Sequence, residues 1–322
     1  MIYISRDTGL TTSKIHEILR TQGADVDTIE FFQSNSRITD YLLDNKYILR
    51  ISKSILGEGI KQSRVESVSF APKIHSFGEF DTFNQRYYYL ISDYIEGSDL
   101  WSVAGKLTDE QKYNIGREIA GFLNGLHSIS GASYDIGHYI PTIPNCKKTW
   151  KDGHVEYVEY LKKGLSGILT DSKSKNIISK AFDYIYENIS ALEYQEGAKL
   201  LHNDFHPKNI IIFNGGLAGV IDWECSQFGE ADFELAHLFH WCIYPSVKDN
   251  NIELLLKSVM ENLNNITDIP NIEKRLTIYQ LEHELNQLIW HGKKQEKERV
   301  QRIKGWLNPN NKIYTLLEKP MF

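Results

Sequence analysis

Residues 200–224 read LLHNDFHPKNIIIFNGGLAGVIDWE, and the organisation of the chain can be worked outward from them. Two apolar runs flank Asn214-Gly215-Gly216. An asparagine followed by glycine supplies the left-handed backbone positions of a tight two-residue turn, so the stretch predicts a β-hairpin. Ahead of the hairpin, a short apolar lead-in ends at His202, and Asp204 and Asn209 follow; behind it, the second run ends at Asp222. Such a hairpin can return a carboxylate at 222 to the neighbourhood of an amide at 209.

Those oxygen-bearing side chains suit phosphoryl transfer. The reaction needs a carboxylate to orient and deprotonate an acceptor hydroxyl, and oxygen ligands for magnesium, which neutralises charge on a triphosphate. Asp204, on a loop after a buried strand, fits the first need as catalytic base; Asn209 and Asp222 fit the second as metal ligands. H-x-D-x-x-x-x-N alone is a weak pattern. Joined to the lead-in, the hairpin and a second run ending in Asp, it becomes specific. Read as plain structure, Asp204 and Asn209 are turn residues and Asp222 closes a strand, which leaves the combination unexplained.

Upstream, the period of the apolar residues changes twice. Residues 12–22 carry Ile15, Ile18 and Leu19 at helical spacing behind Thr12 or Ser13 as a cap. TIEFFQ, RITDYLLD, KYILRIS, APKIHSFGEF and RYYYLISDYI are short and rich in β-branched and aromatic residues, and predict antiparallel strands. Residues 54–70 stay ambiguous, a helix weakened by Gly57 and Gly59. After Gly97 the pattern turns helical: 109–127, 152–165, 174–192 and most of the chain from Asp232 onward. The fold class is therefore α+β in two lobes, a small antiparallel β lobe over 1–95 and a larger, mostly helical lobe over 96–322, with the active site expected where they meet.

Composition narrows the partners. A net charge of −6 over 322 residues gives no nucleic-acid footprint. No apolar run reaches the roughly 18–20 residues needed to span a bilayer, and the N-terminus lacks the apolar core of a signal peptide. The 3 cysteines, Cys146, Cys225 and Cys242, are widely spaced and suit a reducing compartment. These features predict a cytoplasmic protein whose partners are small molecules, neither nucleic acid nor membrane.

LLHNDFHPKNIII…GVIDWECSQFGEADFELAHL resembles the signature of aminoglycoside phosphotransferases and their relatives, which include choline kinases, homoserine-kinase-like enzymes and methylthioribose kinases. The resemblance implies a protein-kinase-like fold, Mg2+ as cofactor, ATP or GTP as co-substrate, a small acceptor, and antibiotic resistance as one role the family plays. It implies Asp204 as base, Asn209 and Asp222 on magnesium, His202 as an ordering residue, and Asp232 as the cap of the next helix. Arg50, in YILRIS, stands where the family usually has its phosphate-contacting lysine; an arginine still binds phosphate, as a planar fork. Its partner glutamate would be Glu58, or alternatively Glu66. The nucleotide loop would be residues 33–36, with Ser34 and Asn35 near the phosphates. LISDYIEG resembles the hinge, where the carbonyl of Ser92 and the amide of Tyr94 would read the adenine edge.

Other readings compete. His202, Asp204 and His206 form H-x-D-x-H, which on a strand could address one metal ion in a hydrolase, with His237 and His240 adding ligands. A protein kinase would need a docking segment after Asp222, and ten residues to the Asp232 helix leave no room for one. Within the class, a choline or metabolite kinase remains open, with Trp223, Trp241 and Tyr244 as aromatic faces for a cation. For a polyamine acceptor, Glu234, Glu282 and Glu284 are the candidate acidic contacts, against the plainer reading of a solvated helix face.

Overall fold

The structure is a computed structural model of the chain that describes residues 12–21, 26–34, 38–53, 65, 68–82, 85–135, 146–147, 149–167, 172–243, 252–311 and 313. The backbone packs as two compact units: Met1–Leu100 with Lys208–Ser226, and Trp101–Pro207 with Gln227–Phe322. A division by chain order at 95/96 differs from this chiefly at the hairpin, which packs with the first unit. The cause is hydrogen bonding: Ile211 and Ile212 pair with Asp99 and Ser98, and the Val220 amide donates to the Phe70 carbonyl at 2.8 Å.

In the first unit, helix α1 (Thr12–Thr21) precedes strands β1 (Ile29–Ser34), β2 (Ile38–Leu43), β3 (Tyr47–Ser52), β4 (Ile74–Thr82) and β5 (Gln85–Asp93). The strands make one antiparallel sheet in the order β1-β2-β3-β5-β4. The apolar stripe of α1, Ile15, Ile18 and Leu19, is buried in one cluster with Ile29, Tyr41, Leu43, Leu49, Ile51 and Tyr87, so the period of 3.6 meets the period of 2 across a single core. The expected ambiguous stretch, 54–70, lies largely outside the described residues.

A second, smaller sheet carries the motif. Strand β6 (Ser98–Asp99) pairs with β7 (Ile210–Phe213), which pairs with β8 (Gly216–Val220). Asn214 and Gly215 have φ of 50° and 81°, the two left-handed positions of the expected turn. Gly97 precedes β6 at φ 143°, where an added Cβ would come within 2.5 Å of the Ile212 carbonyl oxygen. Only glycine lets the chain enter the small sheet at this point.

The second unit is helical: α2 (Asp109–Leu126), α3 (Trp150–Leu165), α4 (Ser172–Asn188), α5 (Leu235–Ile243), α6 (Glu253–Asn262), α7 (Ile272–His291) and α8 (Glu296–Trp306). Thr108 and Gln111 close a capping box at the start of α2. Helix α7 buries residues on most of its circumference, among them Arg275, Tyr279, Glu282 and Glu284. Its polar residues are therefore paired inside the unit. Arg275 Nε and Nη2 donate to the two carboxylate oxygens of Asp232 at 2.6 and 2.9 Å. Its Nη1 donates to the carbonyls of Ala191 and Tyr194. This corrects one expectation: Asp232 caps no helix, and its carboxylate is spent on Arg275.

Both members of that pair are fully buried, so removing one strands the other's charge in a medium of low dielectric. Arg275→Met should lower stability by about 3–5 kcal/mol, read as a fall in the urea midpoint, and Asp232→Asn in the same chain should restore part of the loss.

Candidate active site

The first unit gathers the metal-binding candidates. The register of the hairpin pairs Ile210 with Val220, and one step further the Ile221 amide donates to the Asn209 carbonyl at 2.9 Å. Asn209 therefore lies beside the backbone that leads into Asp222. Asp222 itself has φ 70° and ψ 66°. A non-glycine residue in the left-handed region is uncommon and costly, and here it breaks strand β8 and starts the short turn Trp223–Cys225. The Asp222 carboxylate is one-third exposed, and its Oδ1 lies 3.3 Å from Arg50 Nη1. Arg50, Asn209 and Asp222, expected to act in one reaction, lie within one unit.

Arg50 has a partner the sequence reading missed. Asp40 faces it directly across β2 and β3, 3.0 Å from Nε, and is buried. Glu58, Glu66 and Asn35 lie outside the described residues. Ser34 closes β1 with its hydroxyl 3.2 Å from that of Thr39. Ser92 lies within β5, paired across to Ile48 and Ile74. The hinge expectation for Tyr94 needs correction: its amide already donates to the Lys46 carbonyl at 2.8 Å, so it has no N–H to offer a base. Its ring instead meets Phe32 edge-on, with centroids 5.9 Å apart.

The second unit holds the base candidate. The loop after strand Lys199–Leu201 turns sharply at Asn203, φ 61°, and is held by Glu234. Its two carboxylate oxygens accept from the amides of His202 at 2.6 Å and Asn203 at 2.9 Å. His202 is fully buried, and its Nδ1 accepts the Asp204 amide at 3.3 Å. That contact is compatible with the ordering role the resemblance implied. Phe205 stacks on Phe122 beneath the loop. Asp204 Oδ1 then meets two imidazoles, His206 Nε2 at 3.6 Å and His237 Nδ1 at 3.5 Å.

Burial raises the pKa of Asp204, but the imidazole of His206 beside it and the charges of His237 and His202 outweigh it and hold the carboxyl well below its ordinary range. Burial lowers the pKa of His237 against the pull of Asp204. Behind His237 lie His283 and His240, with ring centroids 5.2 Å apart for the first pair and 4.2 Å for the second. Both are pushed well below the usual histidine range, mainly by burial.

These contacts lend the metal-hydrolase alternative no support. His202 spends its ring on the Asp204 amide, and among the described residues no three His, Cys, Asp or Glu side chains are placed to hold a metal ion. They also correct the acidic acceptor candidates. Glu234 holds the loop, Glu282 meets His154 at 2.8 Å, and Glu284 meets Arg299 and His240, each at 3.1 Å. All three are buried and paired, so they form neither a solvated face nor a polyamine site. Trp223 is buried and donates to the Val220 carbonyl; Trp241 packs on His206 at 4.8 Å; Tyr244 lies outside the described residues.

An antiparallel sheet with a paired hairpin, and a helical unit that carries the H-x-D loop, make up a protein-kinase-like fold, with Arg50, Asn209, Asp222 and Asp204 as its candidate site residues. Residues 61–251, more than half of the chain, match the phosphotransferase enzyme family, and the chain belongs to that family. Hygromycin-B 4-O-kinase of Escherichia coli is 31% identical over 74 residues, which is 23% of this chain and 21% of that kinase's length. Solved structures similar in fold include two ternary complexes. Aminoglycoside phosphotransferase APH(4)-Ia, as a thermostable mutant in ternary complex with AMP-PNP and hygromycin B, has a TM-score of 0.66 at 18% identity, over 94% of this chain and 98% of that one. The streptomycin-ATP-APH(2")-IIa ternary complex has a TM-score of 0.63 at 19% identity, over 94% and 97%. Among the described residues, no helix is long and apolar enough to cross a membrane.

Two outcomes follow from the loop. In Glu234→Gln one of the two amides faces an NH2 group, so melting temperature and turnover should both fall, in differential scanning fluorimetry and in an ADP-release assay. Asp204 is depressed partly by His237, so His237→Gln should move the Asp204 titration upward, toward the ordinary carboxylate value. Carbon-detected NMR of the side-chain carboxyl would read it, and an unchanged titration would remove His237 from the groups that act on Asp204.

Proposed function

We propose that the protein transfers the γ-phosphoryl group of ATP or GTP to a hydroxyl of a small cationic acceptor of the aminoglycoside class. The observation that carries this reading is the arrangement of Asn209, Asp222 and Arg50 within the first unit, an oxygen-donor pair with a guanidinium against it. Asp204 orients the acceptor hydroxyl and takes its proton as the new P–O bond forms and the bond to the leaving diphosphate breaks. Its depressed pKa keeps it ionised, as a base must be, throughout the neutral range. Arg50 binds phosphate oxygens. Most of the rate comes from positioning and charge complementarity rather than covalent chemistry.

Magnesium fits the residues present. The ion is usually held by one or two protein oxygens together with substrate phosphates, and Asn209 with Asp222 supplies one neutral and one anionic donor on adjacent backbone. Bound there, it would neutralise charge on the triphosphate. The acceptor class rests on likeness to a hygromycin-B kinase and to aminoglycoside phosphotransferases in complex with hygromycin B or streptomycin. One observation favours a second reading, a choline or metabolite kinase of the same fold: the glutamates that would meet a polyamine are paired internally. A less highly charged acceptor would then fit better.

The test is ADP and GDP release against hygromycin B, other aminoglycosides, choline, homoserine and methylthioribose. Asp204→Asn should abolish acceptor-stimulated release and leave nucleotide binding near normal, whereas Asp222→Ala should weaken magnesium-dependent nucleotide binding. Near-normal turnover in Asp204→Asn would overturn the base assignment.

A further inference from the structure

Three side chains make a polar rung across the sheet of the first unit. Gln33 on β1 lies opposite Asp40 on β2, and Asp40 lies opposite Arg50 on β3. Gln33 Nε2 donates to Asp40 Oδ2 at 2.7 Å. Arg50 Nε donates to Asp40 Oδ1 at 3.0 Å and Nη2 to Oδ2 at 3.4 Å. Asp40 is 1% exposed. A carboxylate in the middle of a buried strand is a costly choice unless its charge is used, and here both oxygens are engaged.

The side-on, two-point contact takes one edge of the guanidinium and fixes its plane. Nη1 is then directed along the rung to Asp222 Oδ1, 3.3 Å away. A lysine could not reproduce this, because an ammonium has no second edge to anchor. The arginine at 50 and the aspartate at 40 are matched in shape as well as charge.

We propose that Asp40 is the positioning residue for Arg50, holding its guanidinium from within the sheet in the orientation that receives nucleotide phosphates. The proposal rests on the phosphate-binding reading of Arg50. It assigns the orienting role to a residue of the neighbouring strand, in register, where the strand ladder itself fixes the distance between the two. Gln33 completes the rung by holding the far oxygen of the carboxylate.

The experiment measures the affinity of magnesium AMP-PNP and of adenosine, by calorimetry and by competition, for wild type, Asp40→Asn, Arg50→Met and the double variant. If Asp40 orients Arg50 toward phosphates, Asp40→Asn weakens AMP-PNP about tenfold or more, the scale of one charge-assisted hydrogen bond. Adenosine affinity stays unchanged, and the double variant is no weaker than Arg50→Met alone. An equal loss for adenosine and AMP-PNP, or full AMP-PNP affinity in a folded Asp40→Asn protein, overturns the proposal. If Arg50→Met itself binds AMP-PNP normally, the phosphate reading of Arg50 fails first, a separate result. Should Asp40→Asn not fold, Gln33→Leu takes its place: a smaller loss confined to AMP-PNP supports the rung, and unchanged AMP-PNP affinity overturns it.

Discussion

Two consecutive backbone amides, at His202 and Asn203, must find acceptors where the chain forms neither helix nor sheet. Glu234 supplies both, one oxygen to each. An unmet buried amide costs free energy on the scale of a lost hydrogen bond, so this carboxylate decides whether the loop can hold its shape. Asn203 can then turn through the left-handed region, His202 can turn its ring to the next amide, and Asp204 is delivered to its two imidazoles. Glu234 sits at the entry to helix α5, which also carries His237. The element that fixes the loop's backbone thus also provides one of the groups that lower the pKa of its aspartate.

The buried acids share a common use. Asp232, Glu282 and Glu284 each answer a cation or an imidazole inside the second unit, and Asp40 answers Arg50 in the first. Ion pairs of this kind add less net stability than their number suggests, because both partners are desolvated. What they impose is geometry: Arg275 ties helix α7 to the segment at Asp232 and to the turn at Ala191–Tyr194 at the same time.

Much of this was legible before any coordinates, and the residues explain where legibility stopped. The strands, the main helices and the Asn-Gly turn follow from local period and turn chemistry, which act over a few residues. That Asn209 comes to lie beside the approach to Asp222 could be read because the hairpin between them is itself a local signal. Asp40 could not be paired with Arg50 from spacing alone, since the pairing depends on register across two strands; an aspartate in an otherwise apolar strand was the available hint. The glutamates of α7 were misread because a helix buried on most sides has no clear polar face to betray it. The amide of Tyr94 was misassigned because a hinge motif places residues and says nothing of which backbone donors the fold has already used.

The turn at Asn214-Gly215 has a chemical side as well as a conformational one. An asparagine followed by glycine is the dipeptide most open to attack of its own backbone nitrogen on the side-chain amide, with loss of ammonia and opening to isoaspartate. That product carries one extra atom in the main chain. Inserted between β7 and β8, it would disturb the ladder that seats Asn209 next to the approach to Asp222. The same two residues that close the hairpin are therefore also where deamidation, if it occurred, would shift Asn209 and Asp222 relative to each other without touching either one.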